Sequence, residues 1–268
     1  MKGKKSFADI RYLMAVINPL TTKISMQEDL MGMTLKAYKW DVVGRGIFKT
    51  GMYDPFLSRW LIDRFEAGGG CFVDIGANLG YFTCLLGQLA GPSGRVLSVE
   101  PEPDNLVLLE ANVAINGLAE VVKILPVALG SDEGSATLNL YKNSNRGRHS
   151  MVAVGSGNKI VVPIKKLDAL IEQVFQPHAL IDFVKIDVEG YEPYVIKGAS
   201  QTLPRVQSMV IEYAPYILKN AGADLPEFLC ELGKHFSKIY RIEEASLVKT
   251  DIEEILRQES SVDLLYEK

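Results

Sequence analysis

Phe72-Val73-Asp74-Ile75-Gly76-Ala77-Asn78-Leu79-Gly80-Tyr81-Phe82-Thr83 reads as a short apolar strand, a glycine-bearing turn and the opening of a helix. Gly76 and Gly80 let the backbone turn sharply and come close to a bound molecule. Such a turn sets a helix N-terminus at the carboxyl end of a strand, where open α/β sheets bind their ligands.

The same alternation continues outward. Arg95 to Val99 is a second strand that ends at Glu100-Pro101. Asp104 then caps a helix whose Leu106, Leu109 and Val113 share a face, with Gly117 just past its end. Val121 to Leu129, Ile181 to Asp187 and Met209 to Tyr213 follow as strands, and Lys238 to Ile242 and Val262 to Tyr266 supply two late ones. Apolar strands alternating with helices predict a doubly wound α/β sheet covered on both faces. One interval, about 131–166, breaks the rhythm. The alternation of Thr137 to Tyr141 and the β-branched run Ile160 to Val162 predict an inserted β-hairpin with a polar tip from Lys142 to Lys159. Before Gly68, Phe56, Leu57, Trp60, Leu61 and Phe65 recur at helical spacing. Residues 1–67 therefore read as a helical N-terminal extension and 68–268 as the main domain.

Composition narrows the function. Twenty-nine basic against 33 acidic residues leave a net charge of −4, which argues against nucleic acid as the principal partner. Three cysteines without CxxC spacing suggest a reduced, cytoplasmic setting and no zinc site. No run has the length of a membrane span. Lys2, Lys4 and Lys5 ahead of an apolar stretch suit a helix packed on the core, with peripheral membrane contact as the alternative.

The turn itself speaks to the ligand. A nicotinamide site usually reads GxGxxG, and this one reads Asp74-x-Gly76-x-Asn78-x-Gly80. A carboxylate at Asp74 would repel a pyrophosphate, but it suits the ammonium of S-adenosylmethionine. The helix terminus and the Thr83 hydroxyl would then take that molecule's carboxylate. Glu100, 20 residues past Gly80, stands where an acidic side chain grips both ribose hydroxyls.

With these residues in view, Val73 to Gly80 and Asp182-Phe183-Val184-Lys185-Ile186-Asp187-Val188-Glu189-Gly190-Tyr191-Glu192 resemble the FkbM family of class I methyltransferases. Weaker similarity runs through Val99-Glu100-Pro101, Asn112 to Asn116, Val127 to Gly130, Lys197 to Ala199 and Ile211-Glu212. The resemblance implies a seven-stranded Rossmann-like sheet, S-adenosylmethionine as donor and hydroxyls of sugars or polyketide-type products as acceptors. It implies Asp74, Gly76, Ala77, Asn78, Gly80, Glu100 and Pro101 as cofactor contacts, with Ala128 and Leu129 near the adenine.

An alcohol acceptor must lose a proton, so a base is expected near the methyl group. Asp187 and Glu189, at the end of the fourth strand, and His149, in the inserted loop, are the candidates. Arg146, Arg148 and Glu212 are candidate substrate contacts, and the loop that carries the two arginines is a candidate lid. Spacing demands no metal. The Asp/Asn-Pro-Pro-aromatic signature of many amino-group methyltransferases is absent at Asp187-Val188-Glu189-Gly190, which favours oxygen over nitrogen. A nicotinamide-dependent oxidoreductase and a non-catalytic, cofactor-binding scaffold stand as the competing readings.

Overall fold

The computed structural model describes residues 21–25, 31–39, 41–65, 68–141, 146–152 and 158–268. It opens on an antiparallel pair, β1 (Thr21–Ser25) and β2 (Thr34–Tyr38), followed by α1 (Val42–Thr50) and α2 (Pro55–Arg64). Then come β3 (Cys71–Ile75), α3 (Tyr81–Ala90), β4 (Arg95–Val99), α4 (Pro103–Ile115) and β5 (Val122–Leu125). A small sheet follows, made of β6 (Ala128–Leu129), β7 (Gly134–Asn139) and β8 (Lys159–Lys165). The chain returns through α5 (Leu167–Leu170), β9 (Ile181–Ile186), α6 (Glu192–Lys197), β10 (Val206–Tyr213), α7 (Pro215–Asn220) and α8 (Leu225–Gly233). It ends with β11 (Lys238–Glu243), β12 (Ser246–Thr250), α9 (Ile252–Leu256) and β13 (Val262–Glu267).

The main sheet runs β12-β11-β13-β10-β9-β3-β4-β5. Strands β5, β4, β3, β9 and β10 are parallel, and β13 is antiparallel to β10. Side chains alternate between two cores, as strand geometry requires. Phe72, Val96, Phe183 and Val210 face a core shared with α1 to α4. Val73, Leu97, Val184 and Met209 face one shared with α5, α6 and α8. This is the Rossmann-like, doubly wound arrangement that the strand pattern predicted. The order reverses between β3 and β9, which opens a crevice at their carboxyl ends.

Four details differ from the sequence reading. The main sheet has eight strands among the described residues, because β12 folds back on β11. The Glu244-Ala245 turn between them lacks the glycine or asparagine that marks a hairpin. The run Val121 to Leu129 splits at Pro126, which has no N–H for a ladder. Strand β5 stays in the main sheet, and β6 pairs with β8 of the inserted hairpin. Glu102, not Asp104, caps α4 by accepting the Asn105 N–H at 2.7 Å.

The fourth difference is the N-terminal extension, whose described residues open on the β1–β2 pair before the two helices. Strand β2 is secured by two side chains, Asn112 of α4 and Asn116 just past its end, that mimic a neighbouring strand. Asn112 accepts from the Lys36 N–H at 2.6 Å and donates to its carbonyl at 3.0 Å; Asn116 does the same for Thr34 at 2.9 and 2.7 Å. Leu35 and Ala37 alternate inward with no exposure and join Val43, Ile47, Leu57 and Leu61 in the core around Phe72. Nothing local to Thr34–Tyr38 announces a partner so distant in sequence.

Candidate functional site

Strands β3 and β9 part just beyond the Asp187 N–H···Ile75 carbonyl bond (3.0 Å). Gly76 sits at that junction with φ +80°, and a Cβ there would lie 1.9 Å from the Asp187 carbonyl oxygen. The glycine is needed because two strand ends meet there, before any ligand is considered. Above the junction lies a cavity of about 270 Å³. Among the predicted residues it is lined by Asp74, Gly76, Ala77, Asn78, Glu100, Pro101, Ala128, Leu129, Arg148, His149, Asp187 and Glu189.

The end nearer β4 is tightly bonded within itself. The N–H groups of Gly76 and Ala77 donate to the Val99 carbonyl at 2.9 and 3.1 Å, and that of Asn78 donates to Glu100 at 2.8 Å. The turn thus offers fewer free N–H groups than a phosphate-binding loop would. Glu100 also accepts from the Glu102 N–H at 2.9 Å. Burial pushes its pKa up to about 7 against the pull of these bonds. Asp74 is 1% exposed. Its Oδ2 accepts from the Thr83 hydroxyl at 2.6 Å, and its Oδ1 has no hydrogen-bond donor among the described residues. Burial raises its pKa, and Lys185, its register partner on β9, works the other way.

Two predicted contacts lie behind the wall. Thr83 is fully buried, its hydroxyl shared between Asp74 and Ser98 at 2.6 and 2.8 Å, because α3 is buried on nearly every side. Gly80 (φ +89°) serves packing: a Cβ there would meet Leu109 at 2.5 Å.

The other end gathers distant segments. The Lys185 Nζ lies 2.9 Å from Asp187 Oδ2 and 5.1 Å from the Phe82 ring centre. Burial disfavours the lysine charge, but Asp187 and Asp74 outweigh it, so its pKa is raised. Glu189 has a left-handed backbone (φ +52°), a conformation that costs a glutamate about 1–3 kcal/mol. Extended geometry therefore stops at Ile186, yet the Asp187 and Glu189 side chains still converge on the cavity. Burial, then the charge of Asp187, pushes the Glu189 carboxyl up to about 7. Arg148 stands 3.8 Å from it and 5.3 Å from the Tyr141 ring centre. His149 Nδ1 accepts from the Tyr141 N–H at 2.9 Å. In that arrangement the neutral ring carries its proton on Nε2, so it is better placed to donate than to act as a base.

Glu212 lies behind this end, its carboxyl pushed up by burial and by Asp187 and Glu189. The Arg146 side chain and half of the predicted lid, residues 142–145 and 153–157, lie outside the described residues. Sequence reasoning missed Tyr53, Val42 and Val43, by which the extension forms a cavity wall. Tyr53 carries no motif; only its place before the Asp54 cap distinguishes it. Among the described residues no three His, Cys, Asp or Glu side chains are disposed to hold a metal ion, and no helix is long and apolar enough to cross a membrane.

Residues 74–236 match the family model described as methyltransferase FkbM domain. Methyltransferase sdnD of Sordaria araneosa is 29% identical over 168 residues, covering 52% of this chain and 64% of that protein. Hexuronic acid methyltransferase AglP of Haloferax volcanii is 29% identical over 141 residues, covering 52% of this chain and 54% of that one. The chain thus spans less than two thirds of the length of either curated relative. Among solved structures, methyltransferase FkbM from Methylobacillus flagellatus aligns with a TM-score of 0.48 at 14% identity, covering 83% of this chain and 52% of that one.

Proposed function

The chain belongs to the FkbM methyltransferase family, and from that premise we propose that it transfers the methyl group of S-adenosylmethionine to a hydroxyl oxygen of a sugar, glycolipid or polyketide-type small molecule. The observation that carries the donor is Asp74, a buried carboxylate on the cavity wall with one oxygen unmatched among the described residues. A carboxylate out of water needs a donor or a cation. The ammonium of an amino acid is both, whereas a pyrophosphate would add repulsion. Glu100 has lone pairs left for a ribose diol, and Pro101, Val127, Ala128 and Leu129 offer apolar contact for a base.

When bound, the donor supplies an already activated methyl group, so the protein must align the acceptor and remove its proton. Glu189 is the group best suited to take that proton, with a pKa of about 7 and a place on the cavity wall. Lys185 holds Asp187 beside it, and Arg148 stands within reach of an acceptor's oxygens. The relative named for hexuronic acid supports a sugar as acceptor class.

Calorimetry with S-adenosylhomocysteine and with NAD tests the donor: the first should bind and the second should not. Release of S-adenosylhomocysteine from S-adenosylmethionine over a panel of glycosides, including hexuronic acids, tests the acceptor. Binding of NAD in place of S-adenosylhomocysteine would replace this reading with an oxidoreductase.

A further inference from the structure

A left-handed glutamate must be held by its surroundings, and here two side chains with almost no exposure hold it from both sides. Glu192, 1% exposed, places Oε1 3.0 Å from the Val188 nitrogen and 3.2 Å from the Gly190 nitrogen. One oxygen thus accepts the N–H on either side of Glu189. Ser150, 2% exposed, donates its hydroxyl to the Glu189 carbonyl at 2.6 Å. Ser150 is tied in turn to Asn139, at the end of β7, by backbone bonds of 2.8 and 3.1 Å. An unbroken hydrogen-bonded path therefore leads from the inserted sheet to the backbone of Glu189.

We propose that Glu192 and Ser150 are positioning residues that fix the backbone of Glu189 so that its carboxylate enters the cavity, and that they couple that aim to the inserted sheet. This rests on the reading of Glu189 as proton acceptor. Neither residue lines the cavity, so neither acts on a substrate directly. Burial, with Glu212 adding to it, pushes the Glu192 carboxyl up to about 8, so near neutrality it is largely protonated. Glutamine copies that neutral form and keeps the oxygen that accepts both N–H groups. The charged groups that face Glu189 are Asp187, Arg148, Glu192, Lys185 and Glu212.

The test uses the full chain, ¹³C-carboxyl NMR to follow the titration of Glu189 (assigned by its loss in Glu189→Gln), and turnover on the best acceptor of the panel. Glu192→Ala and Ser150→Ala should each lower kcat about 10- to 100-fold, the cost of a misplaced group. They should leave S-adenosylhomocysteine affinity unchanged and move the Glu189 titration toward that of an exposed carboxyl. Glu192→Gln should restore both readouts. In a Glu189→Gln background, Glu192→Ala should cost nothing more, since the two act as one unit. An additive loss there, or a Glu189 titration that stays near 7 in both alanine variants, overturns the proposal. If Glu192→Ala does not fold, Ser150→Ala decides by the same readouts. Should Glu189→Gln turn over at the parent rate, the proton-acceptor reading falls, and the NMR titration still decides whether these residues position Glu189.

Discussion

The two ends of the cavity are built by opposite means. The β4 end comes from two short stretches, Asp74 to Asn78 and Glu100 to Asn105, whose polar groups mostly satisfy one another. The β9 end draws Tyr53, Arg148, His149, Asp187 and Glu189 from three segments that meet only in the folded chain. Charge differs as well. The first end has one carboxyl raised to about 7, Glu100, and the buried Asp74. The second has Glu189 on its wall, with Glu192, Glu212 and Asp263 (the register partner of Glu212 on β13) behind it, all raised by burial and by one another or by Asp187. A self-satisfied end suits a cofactor that never varies; acidic groups crowded together from separate elements in and around the main sheet suit an acceptor and its proton.

The sharpest way to break this contrast is Glu189→Gln. It should lower turnover by about 10²–10⁴-fold, the usual contribution of a general base, while S-adenosylhomocysteine binds as before. In the parent, turnover should fall as pH drops below about 7, because protonated Glu189 can no longer accept the proton. Full activity of the variant would reduce the second end to a passive wall.

Gly76→Val strikes where the two ends join. Its Cβ would overlap the Asp187 carbonyl at a left-handed backbone position, so we expect a loss of about 2–5 kcal/mol of stability. Chemical denaturation measures it. A midpoint equal to that of the parent would mean that the strand ends can part freely.

Asp74→Asn sharpens the account of the first end. The amide oxygen can still accept from Thr83, but the charge offered to an ammonium is gone. Affinity for S-adenosylhomocysteine should fall by about 2 kcal/mol, about 30-fold. Calorimetric affinity that does not change would shift the ammonium site to Asp187.

The same contrast explains what was legible in the sequence. Asp74, Gly76, Asn78 and Glu100 could be read because a strand–turn–helix places them by local geometry alone. Thr83 and Gly80 do not line the cavity, and because α3 is buried nearly all round, helical periodicity did not say which face meets it. Asp187 and Glu189 were legible as the end of β9, but the left-handed backbone at Glu189 was not. Part of its support comes from Ser150, 39 residues away, the rest from Glu192. Tyr53 and β2 were illegible for a similar reason, since Asn112 of α4 and Asn116 just past it hold β2 in place. Local rules found what local contacts build.

The smallest expected effect concerns stability against pH without ligand. Glu100 and Glu189 sit at about 7, Glu192 at about 8 and Asp263 at about 6, all above their ordinary values, and Glu212 is raised too. A carboxyl with a raised folded-state pKa binds its proton more tightly in the folded chain. It therefore adds stability that is fully present below the unfolded value and is lost as pH rises through the folded one. Each extra proton held by the folded state gives a slope of about 1.4 kcal/mol per pH unit. Between about pH 4.5 and pH 8, the ordinary and the highest folded-state values of these glutamates, the free chain should thus lose melting temperature as pH rises, opposite to the trend set by salt-bridged carboxylates. Most of that slope should belong to the β9 end. Glu192→Gln, which keeps the neutral form at every pH, should flatten the upper part of the curve. Glu100→Gln should flatten only the part below about pH 7. Scanning calorimetry of the three proteins across this range separates the ends. A melting temperature that rises with pH in the parent would mean that these carboxyls stay ionised in the folded chain, and the contrast in charge would be lost.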